Sequence, residues 1–286
     1  MLRRSTQGRW NAEIYLVRLG KLLVQTQASS KQSIPPAPQD AGGERDLGAL
    51  LVRHGGEKYG FCRGKLLLDA PAGCDVIACS ALCEADCFNS IIDRYGTAFL
   101  PADRRAIVSL WTLYYFSTLT INTALAWLEL RRYLPVSLDE VSVCLDRQTA
   151  TPVSFLLPDF GQVRELDIHA AMTPLLRQHI APLTDAISHH AHLSAKLLWG
   201  NAAGYLDWII DETGRQSAPV LAEEGAPLLS DPAFPDGERN PLCGTLRSMK
   251  DENGLQFKRR KVCCLRYCMP GIGGCGLSCP LPQGRC

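Results

Sequence analysis

Apolar and polar positions divide the chain into stretches of distinct character. Apolar side chains dominate residues 102–133, the most hydrophobic part of the sequence, and predict one long helix. Within it, IVSLWTLYYFSTLTINTALAWL from Ile107 to Leu128 carries no charge and is long enough to cross a bilayer. Yet Ser109, Thr112, Ser117, Thr118, Thr120, Asn122 and Thr123 interrupt it. That polarity suits a buried helix whose hydroxyls bond back to their own backbone better than a lipid-facing one. Helical spacing also predicts helices over 73–96, 167–191 and 194–213, and a short one from Asp139 to Asp146. TPVSFLLP at 151–158 reads as a short strand bounded by prolines, and LQFKRRKV at 255–262 as a second.

The remaining segments are connectors. Residues 1–24 read as a basic amphipathic helix, or as sequence ahead of the domain. Arg18 and Lys21 break any apolar core there, and no small-residue cleavage site follows. Residues 27–46 are rich in Ser, Pro, Gly and charge and read as a flexible linker; 214–242, punctuated by Pro and Gly, reads as a loosely helical connector. The expected fold class is mainly α with a small β element (α+β), a helical domain followed by a small cysteine-rich C-terminal region.

Composition narrows the function. A 286-residue chain that is 46% hydrophobic and 21% charged has ample core for one or two domains. A formal net charge of +1 supplies no global field toward nucleic acid or an anionic membrane. Cysteine is the outlier: there are 13, an odd number, so complete internal disulfide pairing is impossible. A chain of this length needs no disulfide staples. The expected setting is a reducing compartment, the cytoplasm, where cysteine is a metal ligand before it is a crosslink.

Candidate chemistry gathers in the tail, RRKVCCLRYCMPGIGGCGLSCPL at 259–281. Cys263 and Cys264 are adjacent, ten residues separate Cys264 from Cys275, and three separate Cys275 from Cys279. Thiolates are soft donors that select iron–sulfur clusters, zinc or Cu(I). Gly271, Gly273, Gly274 and Gly276 let the backbone turn tightly around such a group. Zinc ribbons take their ligands in spaced pairs. Neighbouring cysteines grip one tetrahedral ion awkwardly, a constraint that a binuclear cluster eases. Spacing alone leaves both a cluster and zinc open.

Other signals are weaker. Gly271-Ile272-Gly273-Gly274-Cys275-Gly276 matches G-x-G-x-x-G, but no room follows for the helix and strand of a dinucleotide fold. Leu51-Val52-Arg53-His54-Gly55 is like a phosphohistidine motif with His54 as nucleophile, in a chain lacking the alternating α/β pattern. Cys79, Cys83 and Cys87 would stack on one helix face, reading as buried small side chains before a second metal site. His189, His190 and His192 read as capping and solvating an interhelical loop.

The tail resembles that of the FhuF-type siderophore-iron reductase family, whose signature is an adjacent cysteine pair, ten residues, then a spaced pair. Arg259 and Arg260 before the first pair, and Arg266, Tyr267 and Pro270 after it, match as well. Upstream, Ser109-Leu110-Trp111 with Tyr115 resembles the family's apolar central helix. Lys196-Leu197-Leu198-Trp199, followed by Asn201, Gly204, Tyr205, Leu206 and Trp208, resembles its next block, and Asn240-Pro241-Leu242 a third. The likeness covers roughly residues 100–281. Two features depart from it: the second pair is spaced by three residues where the family has two, and Cys268 stands where the family has a basic residue. Cys268 or Cys286 could therefore replace Cys279.

The resemblance implies a [2Fe–2S] cluster on Cys263, Cys264, Cys275 and Cys279, and one-electron reduction of a ferric siderophore, of hydroxamate type first, with iron released in the cytoplasm. A protein or small molecule would supply the electron. Lys258, Arg259, Arg260 and Lys261 would raise the cluster potential and dock an acidic donor. Lys196, Trp199, Asn201, Tyr205, Arg259 and Arg260 are the candidates for substrate or partner docking. The implied division is an N-terminal extension and linker at 1–46, a mainly helical domain at 47–238 and a cluster-binding region at 239–286. The competing readings are a zinc-stabilised, non-redox binding module and a protein in peripheral contact with the inner face of the membrane.

Overall fold

The uncharged stretch forms a single 27-residue helix, Arg104–Leu130, roughly 40 Å long. Asp103 opens it by accepting a hydrogen bond from the Arg105 amide, and Arg131 closes it in the left-handed conformation. Nearly every side chain between those ends is buried, so the helix is the core around which the rest is wound. Four of its polar side chains bond back to the helix as their spacing predicts. Thr112 donates to the Ser109 carbonyl, Ser117 to Tyr114, Thr120 to Phe116 and Asn122 to Thr118, at 2.7–2.9 Å. Among the described residues no helix is long and apolar enough to cross a membrane.

The computed structural model describes residues 44–250, 254, 256–273 and 275–281. The expected helix at 1–24, the linker up to residue 43, Leu255, Gly274 and Cys286 lie outside the described residues. In chain order the helices are α1 (Leu47–Gly55), α2 (Ala85–Gly96), α3 (the central Arg104–Leu130), α4 (Ile168–Leu175), α5 (Ala181–Ala191), α6 (Ala195–Gln216), α7 (Pro219–Gly225) and α8 (Pro227–Ser230). The strands are β1 (Leu66–Leu67), β2 (Cys74–Ala78), β3 (Arg132–Tyr133), β4 (Ser142–Asp146), β5 (Pro152–Leu156), β6 (Gln162–Val163), β7 (Leu246–Lys250) and β8 (Gln256–Arg260). The fold is mainly helical with small sheets, as the periodicity predicts.

A four-stranded sheet in the order β1-β5-β4-β2 packs against α3. It is antiparallel except where β1 runs parallel to β5. Trp111 Nε1 donates to the Ala150 carbonyl at 3.0 Å and Tyr115 packs edge-on to Phe155, which fixes the sheet on the helix.

Two helical expectations are corrected here. Residues 73–96 are not one helix: Cys74–Ala78 is a strand, Cys79–Cys83 a tight turn, and only Ala85–Gly96 is α-helical. Nor is Asp139–Asp146 a helix, because Ser142–Asp146 is a strand between β2 and β5. Both segments carry β-branched residues at Val76, Ile77, Val141 and Val143, and each satisfies the other's backbone across the β2–β4 ladder. Cys79 and Cys83 therefore leave the helical face that would have stacked them with Cys87. Cys79 is buried, and burial pushes its thiol up to about 12.

The helical stretch at 167–191 holds a wider π-type turn, Leu176–Ile180. Pro182 has no N–H for the Gln178 carbonyl. That carbonyl instead accepts from Leu138 N at 3.0 Å, tying the helix to the segment before β4.

Candidate metal centre

The β7–β8 hairpin delivers the chain to the cysteine loop, with Leu246 opposite Arg260. Left-handed backbone at Leu265, Gly271 and Gly276 folds the loop back on itself around two tight turns, Arg266–Cys268 and Gly276–Ser278. Short bonds hold these turns. Cys268 N donates to the Leu265 carbonyl, Met269 N to Arg266, Cys279 N to Gly276 and Ser278 Oγ to Cys275, at 2.7–3.1 Å. Arg259 Nε donates to the Leu277 carbonyl at 3.2 Å, which closes the second turn against β8.

Cys264, Cys275 and Cys279 are buried, and Cys263 is half-buried. The Sγ atoms of Cys264 and Cys275 are 3.1 Å apart. Leu265 N donates to Cys263 Sγ at 3.3 Å. Burial raises the Cys263 thiol to about 11, and it also lies within electrostatic reach of Cys264, Cys279 and Cys268. Donation from Cys275 holds Cys264 below the usual thiol range against the cost of burial, and Arg260 and Arg266 favour its thiolate further. Both guanidiniums are themselves buried.

The base of the loop is the helical core. Ser109 Oγ, on α3, donates to the Cys264 carbonyl at 2.7 Å. Asn201 Nδ2, on α6, lies 3.3 Å from both Ser109 Oγ and Thr112 Oγ1. Gly204 of α6 faces the Arg260 guanidinium. The cysteine loop and the two longest helices thus share one buried polar seam.

These residues suit a soft metal. The donors are thiols, the charges that bear on Cys264 and Cys275 are guanidiniums, and three of the four predicted ligands are shielded from water. Two sulfurs about 2.3 Å from one tetrahedral metal stand roughly 3.8 Å apart, so Cys264 and Cys275 need only a sub-ångström separation to share one. Among the described residues no group of three or more His, Cys, Asp or Glu side chains is already spread around an ion position.

The other predicted site residues fall in two places. Arg259 and Arg260 belong to the loop's approach strand. Trp199, Asn201 and Tyr205 are enclosed in the core along α6, while Lys196 stands exposed on its first turn. Cys268 is half-buried in the first tight turn, near Arg105. His54 is turned inward, 3.6 Å from Glu129, and His190 bonds the Cys83 carbonyl at 2.8 Å. His192 takes the left-handed position that ends α5, in keeping with a capping role.

Ser109 and Gly204 stand out only when the loop is folded onto them. In the sequence their signal was a small residue within a helical block. A buried Glu129, which accepts from Tyr59 Oη and from Ser217 Oγ, carries no such signal, because it lies one residue beyond the uncharged stretch.

Comparison with known proteins brings in relatives over much of the chain. The family described as ferric iron reductase FhuF-like transporter matches over residues 109–255, a span that ends before Cys263. The ferric siderophore reductase of Escherichia coli (strain K12) is 24% identical over 261 residues, covering 84% of this chain and 91% of that protein. Among solved structures, aerobactin synthetase IucC from a hypervirulent pathotype of Klebsiella pneumoniae superposes with a TM-score of 0.46 at 15% identity. That match covers 60% of this chain and 37% of the synthetase.

Proposed function

We propose, from the premise that the chain belongs to the ferric iron reductase FhuF-like family, that it is a ferric-siderophore reductase acting in the cytoplasm. The reaction adds one electron to siderophore-bound Fe(III), giving Fe(II), with the electron drawn from an external one-electron reductant, either a protein or a small molecule. Hard oxygen ligands of the hydroxamate type hold Fe(II) far less tightly than Fe(III), so reduction releases the metal. The E. coli relative carries that activity in its name.

The observation that carries the redox reading is the pair of buried thiols, Cys264 and Cys275, 3.1 Å apart on a loop that also brings in Cys263 and Cys279. These four would hold a [2Fe–2S] cluster, which when bound supplies one-electron transfer at a potential set by charge, hydrogen bonding and exposure. The chain's own residues do the rest. The folded loop buries Cys264, Cys275 and Cys279, and Ser109 anchors it. Arg260 and Arg266 place positive charge beside sulfur. Exposed Lys196 and half-buried Arg259 offer charge to an anionic substrate or an acidic donor, while Trp199, Asn201 and Tyr205 support the surface from beneath. In this reading 47–238 is the helical domain, 239–286 the cluster-binding region and 1–46 an extension.

The test is metal and sulfide content after purification without oxygen, followed by reduction of a ferric hydroxamate siderophore with an Fe(II)-selective chelator as trap. Iron and acid-labile sulfide at about two each per chain, with Fe(II) appearing on addition of the siderophore, is the expected result. Zinc at about one per chain without sulfide would instead mark a zinc-stabilised, non-redox module and sink the reductase reading.

A further inference from the structure

Arg260 is the last residue of β8, and its side chain is directed inward, with only 3% of the residue exposed. The helix it meets is α6, at Gly204. A Cβ built on Gly204 would stand 3.1 Å from Nη2 of Arg260, 3.4 Å from Nε and 3.7 Å from the guanidinium carbon. The Nε–Nη2 edge of the guanidinium therefore presses on the Cβ position of Gly204, and a methyl group there would force the arginine to give by a few tenths of an ångström. Glycine is a poor choice for the interior of a helix on propensity alone, since it raises the entropic cost of ordering the backbone. Gly204 lies near the middle of a 22-residue helix with helical φ, so the turn itself does not call for it. The close approach of Arg260 does.

Arg260 stands three positions before Cys263. Its charge and that of Arg266, which is also buried, lie within electrostatic reach of both Cys264 and Cys275. A cationic group held beside sulfur and shielded from water is felt far more strongly than one on the surface.

We propose that Gly204 is a positioning residue: by omitting a side chain it seats the Arg260 guanidinium between α6 and the cysteine loop, and that seated charge, together with Arg266, sets how readily the loop's metal centre accepts an electron. The proposal rests on the cluster reading above. A four-thiolate [2Fe–2S] centre is doubly negative when oxidised and triply negative when reduced, so a fixed cation stabilises the reduced form more and raises the potential. Arginine fits this use because its charge is permanent and its donors are held in a rigid fork whose edge can approach a backbone closely.

The experiment is a redox titration, followed by electron paramagnetic resonance, of anaerobically purified wild type, Arg260→Gln, Arg260→Lys, Gly204→Ala and the Gly204→Ala/Arg260→Lys double variant. Iron and sulfide in the wild type are measured first, and their absence overturns the cluster reading before any variant is compared. With the cluster present, Arg260→Gln is expected to reduce the equilibrium constant for cluster reduction tenfold or more, a fall of ~59 mV or more. Gly204→Ala is expected to change that constant at least twofold, and to change nothing in the Arg260→Lys background, where the slimmer side chain needs no vacant Cβ position. An unchanged potential in Arg260→Gln overturns the proposal. Should Arg260→Gln fail to hold the cluster, Gly204→Ala decides alone, since alanine is the better helix former and should leave the fold intact. Equal effects of Gly204→Ala in both backgrounds would also overturn it, because the glycine would then act on something other than Arg260.

Discussion

The Ser109 hydroxyl donates to the carbonyl oxygen of Cys264 at 2.7 Å, across 155 positions of sequence. Both groups are buried, and Asn201 approaches the same hydroxyl from α6. Ser109→Ala therefore leaves the Cys264 carbonyl without this donor and removes a partner from Asn201, at a cost of about 1–3 kcal/mol. The expected outcome is a lower urea midpoint and faster loss of metal to a chelator. Ser117→Ala, which removes only a half-buried hydroxyl bonded within its own helix, should change neither. Equal losses in the two variants would mean that the Ser109 bond does not anchor the loop.

The long helix was readable because its signal is local. Every position from Ile107 to Leu128 lacks charge, and the hydroxyls of Thr112, Ser117 and Thr120 find partners within the same helix. The strand at 74–78 was not readable in the same way. Val76 and Ile77 fit a helical face as well as a strand, and what decides between them is β4, which the sequence places far downstream. The thiols were legible as a set from their spacing, whereas their support was not. Ser109 and Gly204 earn their roles from Cys264 and Arg260, residues that only the folded chain brings alongside.

Tyr59 and Ser217 both donate to Oε1 of the buried Glu129, and His54 lies 3.6 Å from its other oxygen. This cluster joins the ends of α1, α3 and α6 on residues outside the cysteine loop. Tyr59→Phe withdraws a donor from a buried carboxylate and should destabilise the fold by about 1–3 kcal/mol. The visible absorption and metal content should stay as in the wild type. A changed spectrum at unchanged stability would show that the cluster communicates with the metal centre instead of bracing the fold.

His179 accounts for an acid-sensitive part of the stability. Its ring is fully buried between the Tyr115 hydroxyl, 2.7 Å away, and the Val136 carbonyl, 2.8 Å away. Burial lowers its pKa from 6.5 to about 4, opposed by the bond to Val136. The folded state thus keeps the ring neutral where the unfolded chain would protonate it. Its contribution is fully present above the unfolded value of 6.5 and is lost as the pH falls toward 4, by roughly 3 kcal/mol over that window. Urea titrations at a series of pH values should show this slope in the wild type and a shallower one in His179→Gln. A parallel slope in the variant would assign the acid sensitivity to the carboxylates instead.

For the fourth ligand of the proposed cluster, the surroundings of Cys279 suit the role better than those of Cys268. It is 5% exposed and follows the turn Gly276–Ser278, whose bond from Cys279 N to the Gly276 carbonyl fixes it next to Cys275. Cys268 ends the other turn, half-buried on the side of Arg105 and of Tyr267, which is 48% exposed. Thiolate ligands of a stable centre need shelter from water and oxidants, which Cys279 has and Cys268 has only in part. Cys279→Ala should therefore empty the centre of iron and sulfide, leaving the far-ultraviolet circular dichroism of the helices in place. Cys268→Ala should keep both elements and the visible spectrum. The reverse pattern would make Cys268 the ligand and require the first turn to open, which amide exchange at Cys268 and Met269 would reveal.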